Sequence, residues 1–430
     1  MSIEPEEKQP RSARALRGFL GILAGSGAAQ LLIIAAVPVL SRLYDPSETA
    51  HYMLLISAAA IIGSIASLKL ELAIPIPAHL KESRSLFWLA ALAPLFVLPV
   101  VWVIVGLVAI SGLWTATPLN MWDVLGISAF VMISGIFTAG GQVAVRTRSY
   151  GVLSRIPLIQ MIGTLATQIS LGGLNNSRGL FIGSLLGRCL GITALVRAGR
   201  LRLDQIPSPQ DSTALLKRYW RFPLLFAPAS LVEVAGANLP SLMLPALFGF
   251  GPAGLFAMAM RVVGVPVAVI GAAAGQVFLG EFARTTSRSE SLRAFWRWSA
   301  GLLAMGLTVA CGAWLLSPLV LPWFLGSGWT GTAELAQYLG VMAGAAIVGS
   351  PVQHVWTVRQ RGLMQFTWNL IRLCSTAGVI WYGAQIGSSI ETVAAALATL
   401  TTAVYALAWL GCLWAAARPG ARTSLDPVVN

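Results

Sequence analysis

The sequence predicts an all-α polytopic membrane protein, with about twelve transmembrane helices in two six-helix lobes. Three observations carry this reading. The 430 residues are 56% hydrophobic and only 10% charged, where a soluble domain is about a quarter charged. The apolar residues gather into runs of about 20, enough at 1.5 Å per residue to cross a hydrocarbon core of about 30 Å. The Lys and Arg residues, which produce a net charge of +13, sit in short loops between these runs. There they orient helices, and nucleic-acid binding is not expected.

In chain order, a polar N-terminus ends in Arg11, Arg14 and Arg17. The first apolar run, Phe19 to Leu40, exceeds a signal-peptide core and is expected to stay as a helix. A short outer loop at Ser41 to Pro46 leads to a second run, about Tyr52 to Ile76. Lys69 and Glu71 lie near its inner end, where a long amine can snorkel to water. Lys81 and Arg84 mark that end as cytoplasmic. The third helix is expected over about Phe87 to Ile110 and the fourth over about Trp122 to Gly140, with Trp114 and Trp122 at the outer interface. After a basic loop with Arg146, Arg148 and Arg155, the fifth helix covers about Pro157 to Gly172 and the sixth about Leu180 to Val196. Arg188 lies about 8 residues into the sixth, near mid-depth.

The polar interval Arg197 to Arg221, with the Pro-flanked segment Ile206 to Pro209, is the one plausible linker. It divides the chain into an N-terminal lobe (1–200), a cytoplasmic linker (201–220) and a C-terminal lobe (221–430). The second half opens with a transmembrane hairpin, Arg221 to Arg284, turning at Phe248 to Gly254. Basic residues at its outer ends and none in its turn put those ends in the cytoplasm. A basic loop, Arg284 to Arg297, precedes a ninth helix ending about Leu316. Ser317 to Thr332, with Pro318, Pro322, Trp323 and Trp329, reads as an interfacial loop. The tenth helix is expected over about Leu335 to Val355. Two more, about Trp368 to Gly383 and Ile390 to Ala416, complete the set and leave both termini cytoplasmic. Arg42 and Arg178 are the outer exceptions. The halves share a plan, Phe19 to Asp45 resembling Arg221 to Gly251, which suggests a parallel repeat with the substrate site between lobes.

Charge inside the apolar runs marks candidate sites, because an intramembrane charge costs at least a few kcal/mol unless paired or wet. Glu233 lies about 11 residues from one face and Arg261 about 8 from the other, so a Glu–Arg pair at one depth is expected. Its alternative role is to pin two helices together. The four cysteines (Cys189, Cys311, Cys374, Cys412) fall in apolar runs without metal-type spacing, and the three histidines are scattered. No disulfide framework, metal site or catalytic group is expected.

Several motifs then point to a family. Arg221-Phe222-Pro223 with Leu239-Pro240, Leu247-Phe248-Gly249 with Gly254-Leu255, Ala259-Met260-Arg261 with Pro266, and Gly275-Gln276-Val277-Phe278 with Glu281 and Arg284 resemble the Wzx polysaccharide flippases. Ser41-Arg42-Leu43-Tyr44 with Pro46, Leu70 to Ile74 with Pro77, and Ser327-Gly328-Trp329 fit as well. The resemblance implies the fold of the multidrug/oligosaccharidyl-lipid/polysaccharide (MOP) exporters, also called MATE-like, with about twelve helices in two lobes around a central cavity, working by alternating access. It implies flipping of undecaprenyl-diphosphate-linked oligosaccharide from the inner to the outer leaflet of the bacterial inner membrane for O-antigen, capsule or exopolysaccharide.

Chemistry read from the residues agrees. An anionic head crossing a medium hostile to charge needs fixed cations at mid-depth, and arginine's planar fork suits a diphosphate. Arg188 and Arg261 are the expected ligands, with Arg42 and Lys69 nearer the two mouths and Glu233 as a counter-ion that holds Arg261 until substrate displaces it. No cofactor is expected, H+ or Na+ being the candidate coupling ions, and a polysaccharide polymerase or ligase is a candidate partner. Other readings remain within reach of the sequence: a peptidoglycan-precursor flippase, a cation-drug antiporter, or a membrane glycosyltransferase or ligase. The last would need acidic residues in a large outer loop, which the sequence lacks.

Overall fold

The computed structural model describes residues 11–77, 79–110, 119–147, 149–198, 209–285 and 287–418, without side chains for 11–24, 108–110, 150 and 209–211. Trp114, Arg148 and the segment Ile206 to Ser208 lie outside the described residues, as do the side chains of Arg11, Arg14 and Arg17. The described chain is helical throughout and contains no strand. In order, the helices are α1 (Arg11–Leu43), α2 (Pro46–Ala66), α3 (Leu80–Ile110), α4 (Met121–Arg146), α5 (Tyr150–Gly173), α6 (Gly179–Arg197) and α7 (Pro209–Arg218), then α8 (Ala227–Phe248), α9 (Phe250–Phe282), α10 (Arg288–Leu325), α11 (Thr332–Val352), α12 (His354–Val358), α13 (Gly362–Gln385) and α14 (Ile390–Ala416). Among the described residues, eleven helices are long and apolar enough to cross a bilayer. A twelfth, α13, has 24 residues but carries Gln365, Asn369 and Arg372. Helices suit this medium because each satisfies its own backbone hydrogen bonds where no water can. The protein is therefore a multi-pass membrane protein.

The chain forms two compact units. The first takes the described parts of Met1–Ala36, Ile62–Leu107 and Met121–Pro228. Its tightest seam joins α5 to α6 through glycines one turn apart. A Cβ on Gly187 would fall 1.9 Å from the Thr164 hydroxyl, and one on Gly183 would fall 2.5 Å from Gln168 Cγ. Small residues at i and i+4 let membrane helices approach backbone to backbone. The buried Gln168 amide spans the seam and donates to the Leu180 carbonyl at 2.8 Å. At one end of the unit, Leu86, Phe87, Leu195, Leu215 and Tyr219 form an apolar core. There Arg218 and Tyr219 both reach Glu82, at 2.9 and 3.1 Å.

The second unit takes Val37–Ile61, the described part of Val108–Asn120, and the described part of Ala229–Asn430. Residues 37–61 thus group by contact with the C-terminal helices. Helix α11 lies at the unit's centre, with Leu335, Ala336, Leu339 and Ile347 fully buried. Glycines again set the spacing: a Cβ on Gly340 would meet Ala313 Cβ at 2.2 Å, and one on Gly344 would meet the Gly306 carbonyl at 2.6 Å.

Several expected elements differ in the structure. The second span stops at Ala66. Leu68 and Lys69 then adopt left-handed backbone, φ 54° and 56°, and a 3-10 turn follows at Leu70–Ala73. The described part of the linker contains the amphipathic helix α7, whose Leu215 is buried while Lys217 and Arg218 are exposed. The interfacial loop shrinks to Gly326–Gly331, because α10 runs on through Pro318 and Pro322 to Leu325. Its two tryptophans divide: Trp323 is 80% exposed, whereas Trp329 is buried and donates to the Ser41 carbonyl at 2.8 Å. The turn expected over Phe248 to Gly254 is Gly249 alone, at φ 85° and ψ 165°, a backbone open in practice only to glycine. Pro252 sits in the first turn of α9, where its missing N–H costs nothing.

Candidate functional site

In the first unit Arg188 stands at the middle of the 19-residue α6, about 14 Å from its start. Its neighbour Gly187 is locked against α5, which fixes the rotation of the helix at this point. The half-buried guanidinium lies over two rings of α4, 5.4 Å from the centroid of Phe130 and 5.1 Å from that of Phe137. Such cation–π contacts contribute about 0.5–2 kcal/mol, more when desolvated. The rings therefore help to hold a positive charge near the middle of the helix.

In the second unit Arg261 is the twelfth residue of α9 and half-buried. It lies about 18 Å along the helix from the Gly249 turn. Its side chain makes no hydrogen bond or ion pair among the described residues. The expected pair with Glu233 is not formed, and the packing gives the reason. Helices α8 and α9 share the Gly249 turn but do not run packed together; α9 lies instead along α11. Glu233 is 16 residues from Gly249 and Arg261 is 12 (249 − 233 and 261 − 249), a difference of about one helical turn, or 6 Å. What places α9 is its first turn. A Cβ on Gly254 would sit 1.8 Å from the Pro46 carbonyl oxygen, so α9 starts in backbone contact with α2.

Glu233 is exposed, and its backbone carbonyl accepts from Arg372 of α13 at 3.1 Å. The Arg372 guanidinium also lies 4.9 Å from the Trp368 ring centroid and packs over Gly236. Arg372 is absent from the residues singled out above, although an arginine near the middle of an apolar run is the same signal that marks Arg188 and Arg261. These two mid-helix arginines differ in state: Arg372 is tied to α8, whereas Arg261 makes no hydrogen bond or ion pair among the described residues.

The remaining candidates lie near helix ends. Arg42 is exposed and donates to the Pro38 carbonyl of its own helix. The turn beyond it is held by a reciprocal cap, Asp45 N–H to Glu48 at 3.0 Å and Glu48 N–H to Asp45 at 2.8 Å. The Lys69 ammonium is 3.8 Å from the Glu71 carboxylate, which is buried and also accepts from Ser67 at 2.6 Å. Lys69 is thus partly neutralised by its own turn. Within the second unit no hydrogen bond or ion pair joins Arg42, Glu233 and Arg261. No group of acidic, His and Cys side chains suited to a metal occurs among the described residues. The chemistry on offer is electrostatic: half-buried cations in apolar helices, which suit an anion.

The fold matches solved membrane transporters. The lipid II flippase MurJ, in an inward closed conformation, matches with a TM-score of 0.71 at 12% identity, covering 91% of this chain and 87% of that one. An inward-facing multidrug resistance MATE family transporter of the MOP superfamily matches with a TM-score of 0.67 at 12% identity, over 91% and 96% of the two chains. A MOP superfamily transporter from Pyrococcus furiosus, described as having a binding pocket of reverse polarity, gives 0.52 at 15% identity, over 96% and 100%. This likeness makes the chain MATE- and MurJ-like in fold. No curated protein matches it. The model of a family described as polysaccharide biosynthesis protein matches residues 78–334, more than half the chain, and the protein belongs to that family.

Proposed function

We propose that the protein is a Wzx-type flippase, a transporter and not an enzyme, which carries undecaprenyl-diphosphate-linked oligosaccharide across the inner membrane by alternating access. Arg261 carries the proposal: an arginine near the middle of an apolar helix, half-buried, with no hydrogen bond or ion pair among the described residues. A charge kept there at a cost of a few kcal/mol is explained by a ligand of opposite charge. Membership of the polysaccharide biosynthesis family supports a sugar-polymer role, and the MATE- and MurJ-like fold supports transport of an amphiphile. In this reading Arg261 is a cation for the diphosphate and Arg188 is the candidate of the same kind in the first unit, Arg42 and Lys69 serve the two mouths, and Glu233 is the candidate counter-ion.

The test uses cells lacking the gene. Their undecaprenyl-linked intermediates are extracted and assigned to a leaflet while surface polymer is measured. Complete repeat units trapped on the cytoplasmic side, with polymer lost, support the flippase. Repeat units reaching the outer leaflet but staying unpolymerised or unligated refute it and favour an enzyme.

A further inference from the structure

At the end of the second unit where α14 stops and α13 begins, one tryptophan carries two arginines. The guanidinium of Arg418, just beyond α14, is 3.7 Å from the Trp414 ring centroid, and that of Arg361, just before α13, is 5.2 Å from it. All three side chains are exposed. Neither guanidinium makes an ion pair or hydrogen bond among the described residues. Between Arg359 and Arg418 the sequence contains a single acid, Glu391, in the first turn of α14 at the opposite end of both helices. Two positive charges without an ion-pair partner among the described residues, and an aromatic platform, therefore lie exposed together.

Directly along the helices from this cap runs an apolar cleft of about 310 Å³. The register connects them. On α13, Met364, Thr367 and Ile371 line the cleft at three- and four-residue steps from Arg361; on α14, Gly411, Leu407 and Val404 do so from Trp414. Residues so spaced share a face, so the cap and the cleft form one continuous surface. Gly411 keeps the cleft open at its floor, where a Cβ would press on Trp356 at 3.2 Å. Leu407 and Leu363 on its walls are 63% and 79% exposed.

We infer that this surface is a binding site for an anionic bilayer phospholipid, its phosphate held between Arg361 and Arg418 over Trp414 and one acyl chain laid in the cleft between α13 and α14. The shape demands an amphiphile: a single apolar channel, about 12 Å long from Leu363 to Ile371, with charge at one end only. The sign of the cap demands an anion, which two guanidinium forks bind through paired N–H groups. Tryptophan at the head-group level is the usual membrane-interface anchor, and arginines near an anionic surface each favour binding by a separate increment. The site is independent of Arg261 and of the transported substrate.

The test is native mass spectrometry of the full-length protein in detergent, titrated with dioleoyl phosphatidylglycerol and, separately, dioleoyl phosphatidylcholine. The expected result is one saturable phosphatidylglycerol site of higher affinity than any phosphatidylcholine site. Arg361→Gln or Arg418→Gln is expected to weaken it about fivefold and the double variant on the order of 25-fold. Leu407→Trp fills the cleft, leaves both charges and is expected to weaken binding of both lipids. All three positions are exposed, so the variants are expected to elute as folded protein. Unchanged phosphatidylglycerol affinity in the double variant, or equal affinity for the two lipids, overturns the site. Displacement of phosphatidylglycerol by equimolar undecaprenyl diphosphate also overturns it, assigning the surface to an isoprenoid carrier instead.

Discussion

Replacing Arg261 by methionine should make the protein more stable and transport-dead, and the two effects together identify what the residue is for. Placing an arginine at the centre of a membrane helix costs about 3 kcal/mol, while an apolar residue returns about 0.5. At full burial the exchange would gain about 3 kcal/mol. Arg261 is half-buried and forfeits no hydrogen bond or ion pair, so the expected gain is about 1–2 kcal/mol. Arg372→Met is the matched contrast. It loses a charged hydrogen bond to the Glu233 carbonyl and a contact with Trp368, together about 2–4 kcal/mol. That loss offsets the same gain, and the net change is a destabilisation of about 1–2 kcal/mol. The assay is thermal and denaturant unfolding of both purified variants in one detergent, with polymer export measured in complemented cells. A fall in stability of 3 kcal/mol or more for Arg261→Met would refute the reasoning, since that is the signature of a broken buried ion pair. Full export by that variant at normal protein levels would refute the ligand role.

Three further outcomes follow from the same geometry. Gly254→Ala forces a Cβ into the Pro46 backbone and should cost at least 1–3 kcal/mol of unfolding free energy. Gly251→Ala meets no atom within 4 Å and should leave stability within about 1 kcal/mol; equal effects would contradict the close approach of α9 to α2. Trp329→Phe removes the donor to the Ser41 carbonyl and should cost about 0.5–1.5 kcal/mol, measured by unfolding against Trp323→Phe, which should be neutral. Burial, reinforced by Glu48, pushes the Tyr44 hydroxyl from its ordinary 10 up to about 12. The fold keeps the proton that the unfolded chain releases, so stability is complete below pH 10 and falls between pH 10 and 12, by an amount on the order of 2–3 kcal/mol. Tyr44→Phe should lose that slope in an unfolding series from pH 9 to 12, and an unchanged slope would mean another group titrates.

The spans were legible because the bilayer imposes a one-dimensional rule: an apolar run of about 20 residues must be a helix. Boundaries were read best where polar residues stop abruptly. Helix α14 falls on Ile390–Ala416 as the sequence predicts, whereas α10 runs nine residues past the expected Leu316, because its prolines do not break a helix in this setting. The mid-depth charges were also legible, since charge in an apolar run is rare and depth follows from counting.

Which charges meet was not legible, and the physical reason is that depth fixes one coordinate of three. Glu233 and Arg261 looked paired because their counts from opposite faces agreed. Their partners were decided instead by how α8 and α9 leave Gly249, by the absent Cβ of Gly254 against Pro46, and by α11 drawing α9 to itself. Likewise Trp329 reads as an interface residue until Ser41, 288 positions earlier, supplies its acceptor. The sequence by itself determined that this chain is a bundle of membrane helices holding a few arginines at mid-depth. Only the tertiary structure decided that Arg372 is tied to a helix carbonyl while Arg261 makes no hydrogen bond or ion pair among the described residues, because side-chain pairing depends on contacts between segments that no local pattern encodes.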